Sequence, residues 1–329
     1  MGSPNMAIQT AAYSQLMSQS YRATWASRKK VLLPRVLRRV SGGVWIYGSV
    51  GTPGLLGNQI TGLLAGGSIA LVPGVDVKWE PPMGPQLFAD WLDRVSEILK
   101  ARVSGWVIQL PADRRRRRFN LLALDTAGTP VAFAKFSTNP PNPLTLAALK
   151  RFETEPTKQF WSPVLLASER VGDFEVVVST AMPNRPHAPA FLSPVDRRAV
   201  LLEMQDRLSD LVSPQVFTHG DFAPWNVRRF RNGVVAVIDW EETMPGVELA
   251  DELWFVVCHH AWKRSDVPAV MEDLGVTSRY HKDLIARAAQ FWLDRLRRPE
   301  KEEININIAV PNRVGRFAVR VRSLLEAMR

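Results

Sequence analysis

Residues 216–240 constrain the fold more than any other stretch, reading VFTHGDFAPWNVRRFRNGVVAVIDW. Two runs rich in valine and phenylalanine bracket a polar loop, which predicts strand, loop, strand. The loop sets out His219, Asp221 and Asn226 as H-x-D-x-x-x-x-N, and the returning strand ends at Asp239 in Val-Ile-Asp-Trp. Upstream, Lys135 closes the run Val-Ala-Phe-Ala-Lys after a hairpin. Taken singly, an Asp or Asn in a loop usually shapes a turn, and a Lys on a strand is usually a solvated edge charge. Their joint order and spacing give them weight.

The rest of the chain supplies a context of mixed structure. Residues 83–100 predict a helix, because Leu87, Trp91, Leu92, Val95 and Leu99 recur at helical spacing. Strands are expected at 44–47, 68–72, 106–110, 119–124, 131–136, 163–167 and 174–179, with a hairpin turn at 126–129. Asn142 before Pro143 is a good cap and first position for a helix over about 143–153. After Met182 the chain turns proline-rich, as a hinge does. Helices are then expected over 196–212, 251–262, 278–298 and 313–328. Three segments follow: an N-terminal extension of α/β character over 1–103, a sheet-rich part over 104–183, and a helical part over 184–329.

Charge is unevenly placed. Of 329 residues, 42 are Lys or Arg and 32 Asp or Glu, a formal net charge of +10. The first acidic residue is Asp76, while residues 1–75 carry seven basic ones. The body is therefore nearly neutral, which argues against a protein that binds nucleic acid throughout. Residues 22–39 form a basic amphipathic stretch of the kind that can lie on an anionic membrane surface or dock on its own protein. Residues 41–75 hold no charge and include an apolar run at 55–72 of about spanning length. Its Asn58, Gln59 and glycines, flanked by Pro53 and Pro73, predict strands and turns instead. Cys258 is the one cysteine, so no internal disulfide is available. Set among apolar residues, it predicts a buried thiol. With no cationic leader before an apolar run, the expected setting is reducing and cytoplasmic.

His-Gly-Asp-Phe-x-Pro-x-Asn followed by Ile-Asp-Trp resembles the aminoglycoside phosphotransferase and choline kinase family, over roughly residues 104–262. The resemblance implies a bilobal protein-kinase-like fold of class α+β, with an antiparallel-sheet N-lobe and a mainly helical C-lobe. It implies ATP and Mg²⁺ as cofactors and a small-molecule hydroxyl acceptor. By the same resemblance Asp221 is the catalytic base, and Asn226 and Asp239 hold the metal. Lys135 meets the α/β-phosphates and pairs with Glu153, or with Glu155. Ala181 and Met182 border the adenine through backbone groups. His219 and Asp251 brace the catalytic loop. The residue types suit the chemistry, since phosphoryl transfer needs charge neutralised on the phosphates and the two oxygens held in line.

The chain also departs from the family. The loop that should cover the phosphates contains five consecutive arginines, residues 114–118, and neither glycine nor serine. About a hundred residues precede the kinase-like part. Glu241, Glu242, Glu248 and Glu252 follow the metal Asp, either as acidic walls for a cationic acceptor or as solvated charges. His259 and His260 are adjacent on the expected helix, so one at most should face the site. A second reading stays open: a pseudokinase or scaffold whose basic N-terminal part binds a partner.

Overall fold

Period-two burial organises the first half of the chain. Phe119, Leu121 and Ala123 are buried, while Asn120 and Leu122 between them are partly exposed, the pattern of a strand with one covered face. The computed structural model describes residues 30–32, 44–49, 83–110, 118–126, 129–183, 187–275, 279–297 and 313–329. Among these, seven strands form one antiparallel sheet. They are β1 (Lys30–Leu32), β2 (Val44–Ser49), β3 (Gly105–Leu110), β4 (Arg118–Leu124), β5 (Pro130–Ser137), β6 (Leu165–Val171) and β7 (Phe174–Thr180), in the order β1-β2-β3-β4-β5-β7-β6. The expected strand at 68–72, the apolar run at 55–72 and arginines 114–117 lie outside the described residues. Of the basic stretch 22–39, only residues 30–32 are described, as strand.

Helix α1 (Pro85–Leu99) covers one face of this sheet. Phe88, Trp91, Leu92 and Val95 share one core with Trp106, Ile108, Phe119, Leu121, Ala134 and Phe136. Phe119 and Phe136 are paired across β4 and β5, and their rings stack at 4.3 Å. Trp91 meets Phe136 edge to face at 4.8 Å. Residues before 104 thus complete the core of the strands that follow. Ala134 and Phe136 are buried against α1, so alternation sends Lys135 to the opposite face.

The chain divides into two compact units. The sheet unit holds the described residues up to Pro141 together with 165–183. The second holds 142–164 and the described residues from His187 onward, and it is mainly helical. The expected α+β class is observed. Helix α2 (Pro143–Thr154) groups with the helical unit. Its cap is the expected one: Asn142 Oδ1 accepts from Leu144 N at 3.0 Å, with Pro143 next. The same Asn142 donates through Nδ2 to the Thr243 carbonyl at 2.6 Å, and Thr145 Oγ1 donates to the Trp240 carbonyl at 2.7 Å.

The remaining helices are α3 (Pro194–Leu208), α4 (Ala250–Lys263), α5 (Val267–Asp273), α6 (Arg279–Leu296) and α7 (Arg313–Met328). Helix α4 is buried along most of its length and packs on α3, α5, α6 and α7, as a helix apolar on several faces must. Cys258 lies within it, fully buried, and burial pushes its thiol well up, as expected of an inert sulfur. No described helix is long and apolar enough to cross a membrane.

Candidate active site

Two short ladders build the loop. Strands β10 (Val227–Phe230) and β11 (Val235–Val237) pair antiparallel, Val227 opposite Val237, and β10 pairs on its other side with β8 (His187–Pro189). Ile238 N donates to the Asn226 carbonyl at 2.9 Å, which extends the ladder by one step. Asn226 and Asp239 therefore come together at the ends of neighbouring strands. Strand β9 (Val216–Thr218), paired with β12 (Met244–Gly246), delivers the chain into His219, Gly220 and Asp221.

Asp239 has φ 69° and ψ 55°, the left-handed region. A non-glycine residue there carries about 1–2 kcal/mol of strain, and such residues concentrate at functional sites. Trp240, fully buried against Phe152 and His219, fixes the chain on the far side. Gly220 also has positive φ, at 80°, and a Cβ there would lie 1.8 Å from the Glu242 carbonyl oxygen. Only glycine lets the loop pass that backbone.

His219 is fully buried, and both its ring nitrogens are engaged. Nε2 lies 3.1 Å from the Ile238 carbonyl, which must accept, so Nε2 carries the proton. Nδ1 then accepts from Asp221 N at 3.3 Å. A ring so engaged braces the loop and has no lone pair left for a substrate proton. Asp251, one residue into α4, accepts from His219 N at 2.7 Å and Gly220 N at 3.3 Å. It buckles the loop to the helix.

Asp221 is half-buried, and both carboxylate oxygens are oriented. Asn226 Nδ2 donates to Oδ2 at 2.8 Å and to the Asp221 carbonyl at 3.0 Å. Trp254 Nε1 donates to Oδ1 at 3.0 Å. Burial raises the Asp221 carboxyl to about 7; the Trp254 and Trp225 indoles pull against this, while the Asp239 and Glu242 charges add to it. With its Nδ2 spent on Asp221, Asn226 is left Oδ1 for a cation. Asn226 Oδ1 and the Asp239 carboxylate are hard oxygen donors at adjoining strand ends, a set that fits Mg²⁺.

The other expected residues are placed as follows. Lys135 sits on β5 in the sheet unit. Ala181 and Met182 follow β7 in the same unit and are half-buried. Glu153 is exposed on the last turn of α2. Glu155 is engaged by Arg151 at 3.7 Å and Arg207 at 3.4 Å. Glu241 and Glu242 lie in a helical turn, Trp240–Glu242, directly after Asp239, and Glu242 pairs with Arg295 of α6. Glu248 is exposed. Glu252 is buried against Arg197 at 3.1 Å, a structural use.

Two groups in the site carry no sequence motif. Trp254 supplies a donor to Asp221, and it stands three residues after Asp251, on the same helix face. That spacing is the signal that points to it. Arg295 reaches Glu242 across fifty-odd residues and has no local signal.

Comparison with known proteins bears on this site. Residues 145–298 match the phosphotransferase enzyme family. That span contains Asp221, Asn226, Asp239 and Asp251 but not Lys135. No curated protein matches the chain at a significant level. Among solved structures, spectinomycin phosphotransferase APH(9)-Ia in complex with ADP and spectinomycin is similar at 11% identity, covering 73% of this chain and 98% of that one, with TM-score 0.40. Aminoglycoside phosphotransferase APH(4)-Ia is similar at 12% identity, covering 73% and 99%, with TM-score 0.39. Choline kinase LicA from Streptococcus pneumoniae is similar at 13% identity, covering 63% and 90%, with TM-score 0.36.

Proposed function

We propose that this chain, which carries a phosphotransferase-family segment over residues 145–298, moves the γ-phosphoryl group of ATP to a hydroxyl of a small molecule. The observation that carries the reading is the state of Asp221. Its carboxylate is held by two donors, raised toward neutral pH, and set beside the Asn226–Asp239 pair.

In this reading Asp221 orients the acceptor hydroxyl and takes its proton as the oxygen attacks phosphorus. Two donors fix the carboxylate in place for that task. Asn226 Oδ1 and Asp239 would hold Mg²⁺, which when bound would supply neutralisation of charge on the phosphate oxygens. Lys135 serves the α/β-phosphates, and the backbone at Ala181 and Met182 serves the base. Glu153 is our candidate partner for Lys135. His219 and Asp251 keep the loop in place without touching the reacting atoms. Glu241, Glu242 and Glu248 give the acceptor side an acidic character that suits a sugar, aminocyclitol or amino alcohol bearing a cation.

The test is Mg²⁺-dependent ADP release over a panel of aminoglycosides, choline, ethanolamine, free and amino sugars and nucleosides, with Asp221→Asn as the blank. An acceptor-dependent signal that vanishes in the variant supports the reading. Absence of Mg·ATP binding by the folded wild type overturns it in favour of a pseudokinase, a reading that draws on the exposure of Glu153.

A further inference from the structure

One buried polar cluster has no part in the chemistry above. His259 and His260 lie near the end of α4, and both turn toward Asp273, the last residue of α5. His259 Nδ1 lies 3.8 Å from Asp273 Oδ2, and His260 Nε2 lies 3.1 Å from the same oxygen. Both rings are thus engaged with Asp273, the residue that closes α5. Neighbours on a helix diverge by about 100°, but one ring offers the nitrogen near its root and the other the nitrogen at its tip. One ligand atom from each of the three residues lies within 4.8 Å of the other two.

The cluster is short of partners. Both ring nitrogens of His259 and Nδ1 of His260 are buried without a hydrogen-bond partner among the described residues. Each residue is only 8% exposed. An unpaired buried polar atom costs about 1–3 kcal/mol, and three in one place call for a missing companion. His259 Nδ1 and Asp273 Oδ2 face each other at a separation too long for a hydrogen bond. A cation between them would satisfy both.

The surroundings fit that companion. Arg197, fully buried, donates to Asp273 Oδ1 at 3.1 Å and to the Asp273 carbonyl at 2.9 Å. It shares its charge with Glu252 and leaves Oδ2 to the imidazoles, as an outer-shell partner does for a ligating carboxylate. The His259 ring lies 4.6 Å from Phe191, so one side of the cluster is apolar.

We propose that His259 Nδ1, His260 Nε2 and Asp273 Oδ2 form a site for a first-row divalent metal of the zinc class. Two imidazole nitrogens and one carboxylate oxygen are a zinc donor set with a fourth position for water. Bonds of about 2.0–2.2 Å place tetrahedral ligands roughly 3.3–3.5 Å apart; the two imidazole nitrogens stand 3.8 and 3.1 Å from Asp273 Oδ2, on either side of that spacing, and all three atoms lie within 4.8 Å of one another. This site is chemically unlike the oxygen pair Asn226 and Asp239. Its effect is to fasten α5 to α4, the helix that also carries Asp251 and Trp254.

Co²⁺ is the probe, added to the full chain in excess Mg²⁺ and read by equilibrium dialysis and visible absorption. One Co²⁺ per chain is expected, with an absorption band that Zn²⁺ abolishes. His259→Phe keeps the contact with Phe191 and removes no hydrogen bond, so it should fold with an unchanged thermal midpoint and bind Co²⁺ at least about 10-fold more weakly. His260→Gln gives the same comparison should the first variant be unstable. Asp239→Asn should leave the band intact. A folded wild type that takes up no Co²⁺, equal uptake by wild type and His259→Phe, or loss of the band in Asp239→Asn would each overturn the proposal.

Discussion

Trp254 donates its indole N–H to Asp221 Oδ1 at 3.0 Å, while its ring stacks on Trp292 at 4.3 Å. The stack fixes the indole plane, and Trp292 is itself tied by Nε1 to the Ala250 carbonyl at 2.7 Å. The orientation of the proposed base is thereby set from inside the helical unit. Trp254→Phe keeps the stack and deletes the donor. A hydrogen bond to a charged group is worth about 1.5–3 kcal/mol, so kcat should fall roughly 10- to 100-fold with KM for ATP unchanged. Steady-state kinetics against an active acceptor check this.

Asp221→Asn keeps the shape of the loop and removes the basic oxygen. Turnover should drop about 10²- to 10⁴-fold, while ADP binding by calorimetry stays within a factor of about two or three. Near wild-type turnover would remove Asp221 from the role of base.

Asp239→Asn acts elsewhere. Replacing the carboxylate by an amide removes the only formal charge of the oxygen pair, and the Mg²⁺ dependence of ATP binding should weaken by at least about 10-fold. Titration of Mg²⁺ at fixed ATP is the measurement. Unaltered Mg·ATP binding would reject the metal assignment.

Gly220→Ala tests the loop's backbone. The added methyl would collide with the Glu242 carbonyl, at a φ that L-residues avoid. A loss of about 3 kcal/mol in unfolding free energy is expected, seen as a lower denaturation midpoint. Activity should fall with it, since Gly220 N is one of the two groups Asp251 holds.

His187 gives the helical unit a sensitivity to acid. Burial, aided by the neighbouring Arg228 guanidinium, lowers its imidazole from 6.5 to about 4. The unfolded chain then binds the proton more tightly than the folded one. This group's contribution to stability is complete above about pH 6.5 and is lost as pH falls toward 4. His187→Gln retains an acceptor for Arg228 Nε, which now donates to His187 Nδ1 at 3.1 Å. Between pH 7 and 4.5 the variant should lose about 1 kcal/mol less than wild type, allowing for a ring that is only half-buried. Denaturant midpoints at the two pH values decide it.

The segment that forms the candidate site was legible because its pattern is local. His219, Asp221, Asn226 and Asp239 stand within about twenty residues, and the two strands that join Asn226 to Asp239 show their apolar pattern plainly. The cap of α2 was legible for the same reason, a single Asn-Pro pair. Tertiary contacts were not. Nothing near Glu242 in sequence announces Arg295, and nothing in residues 44–49 says that they pair with β3. Helix α5 was missed although Asp266 caps it and Pro268 opens it, because seven residues are too few for a periodic signal.

Asn142 and Thr145 reach the backbone of Thr243 and Trp240 from a helix that lies between two strands of the sheet unit in sequence. Each unit is consequently assembled from separated stretches of chain. No single cut yields either one whole: a fragment starting at the proline-rich connection would contain Asp221, Asn226 and Asp239 but lack the groups that tether the turn after Asp239. Ribosomal synthesis meets the same condition. Helix α2 emerges soon after strands β3, β4 and β5 and must wait through some ninety further residues for the carbonyls it binds.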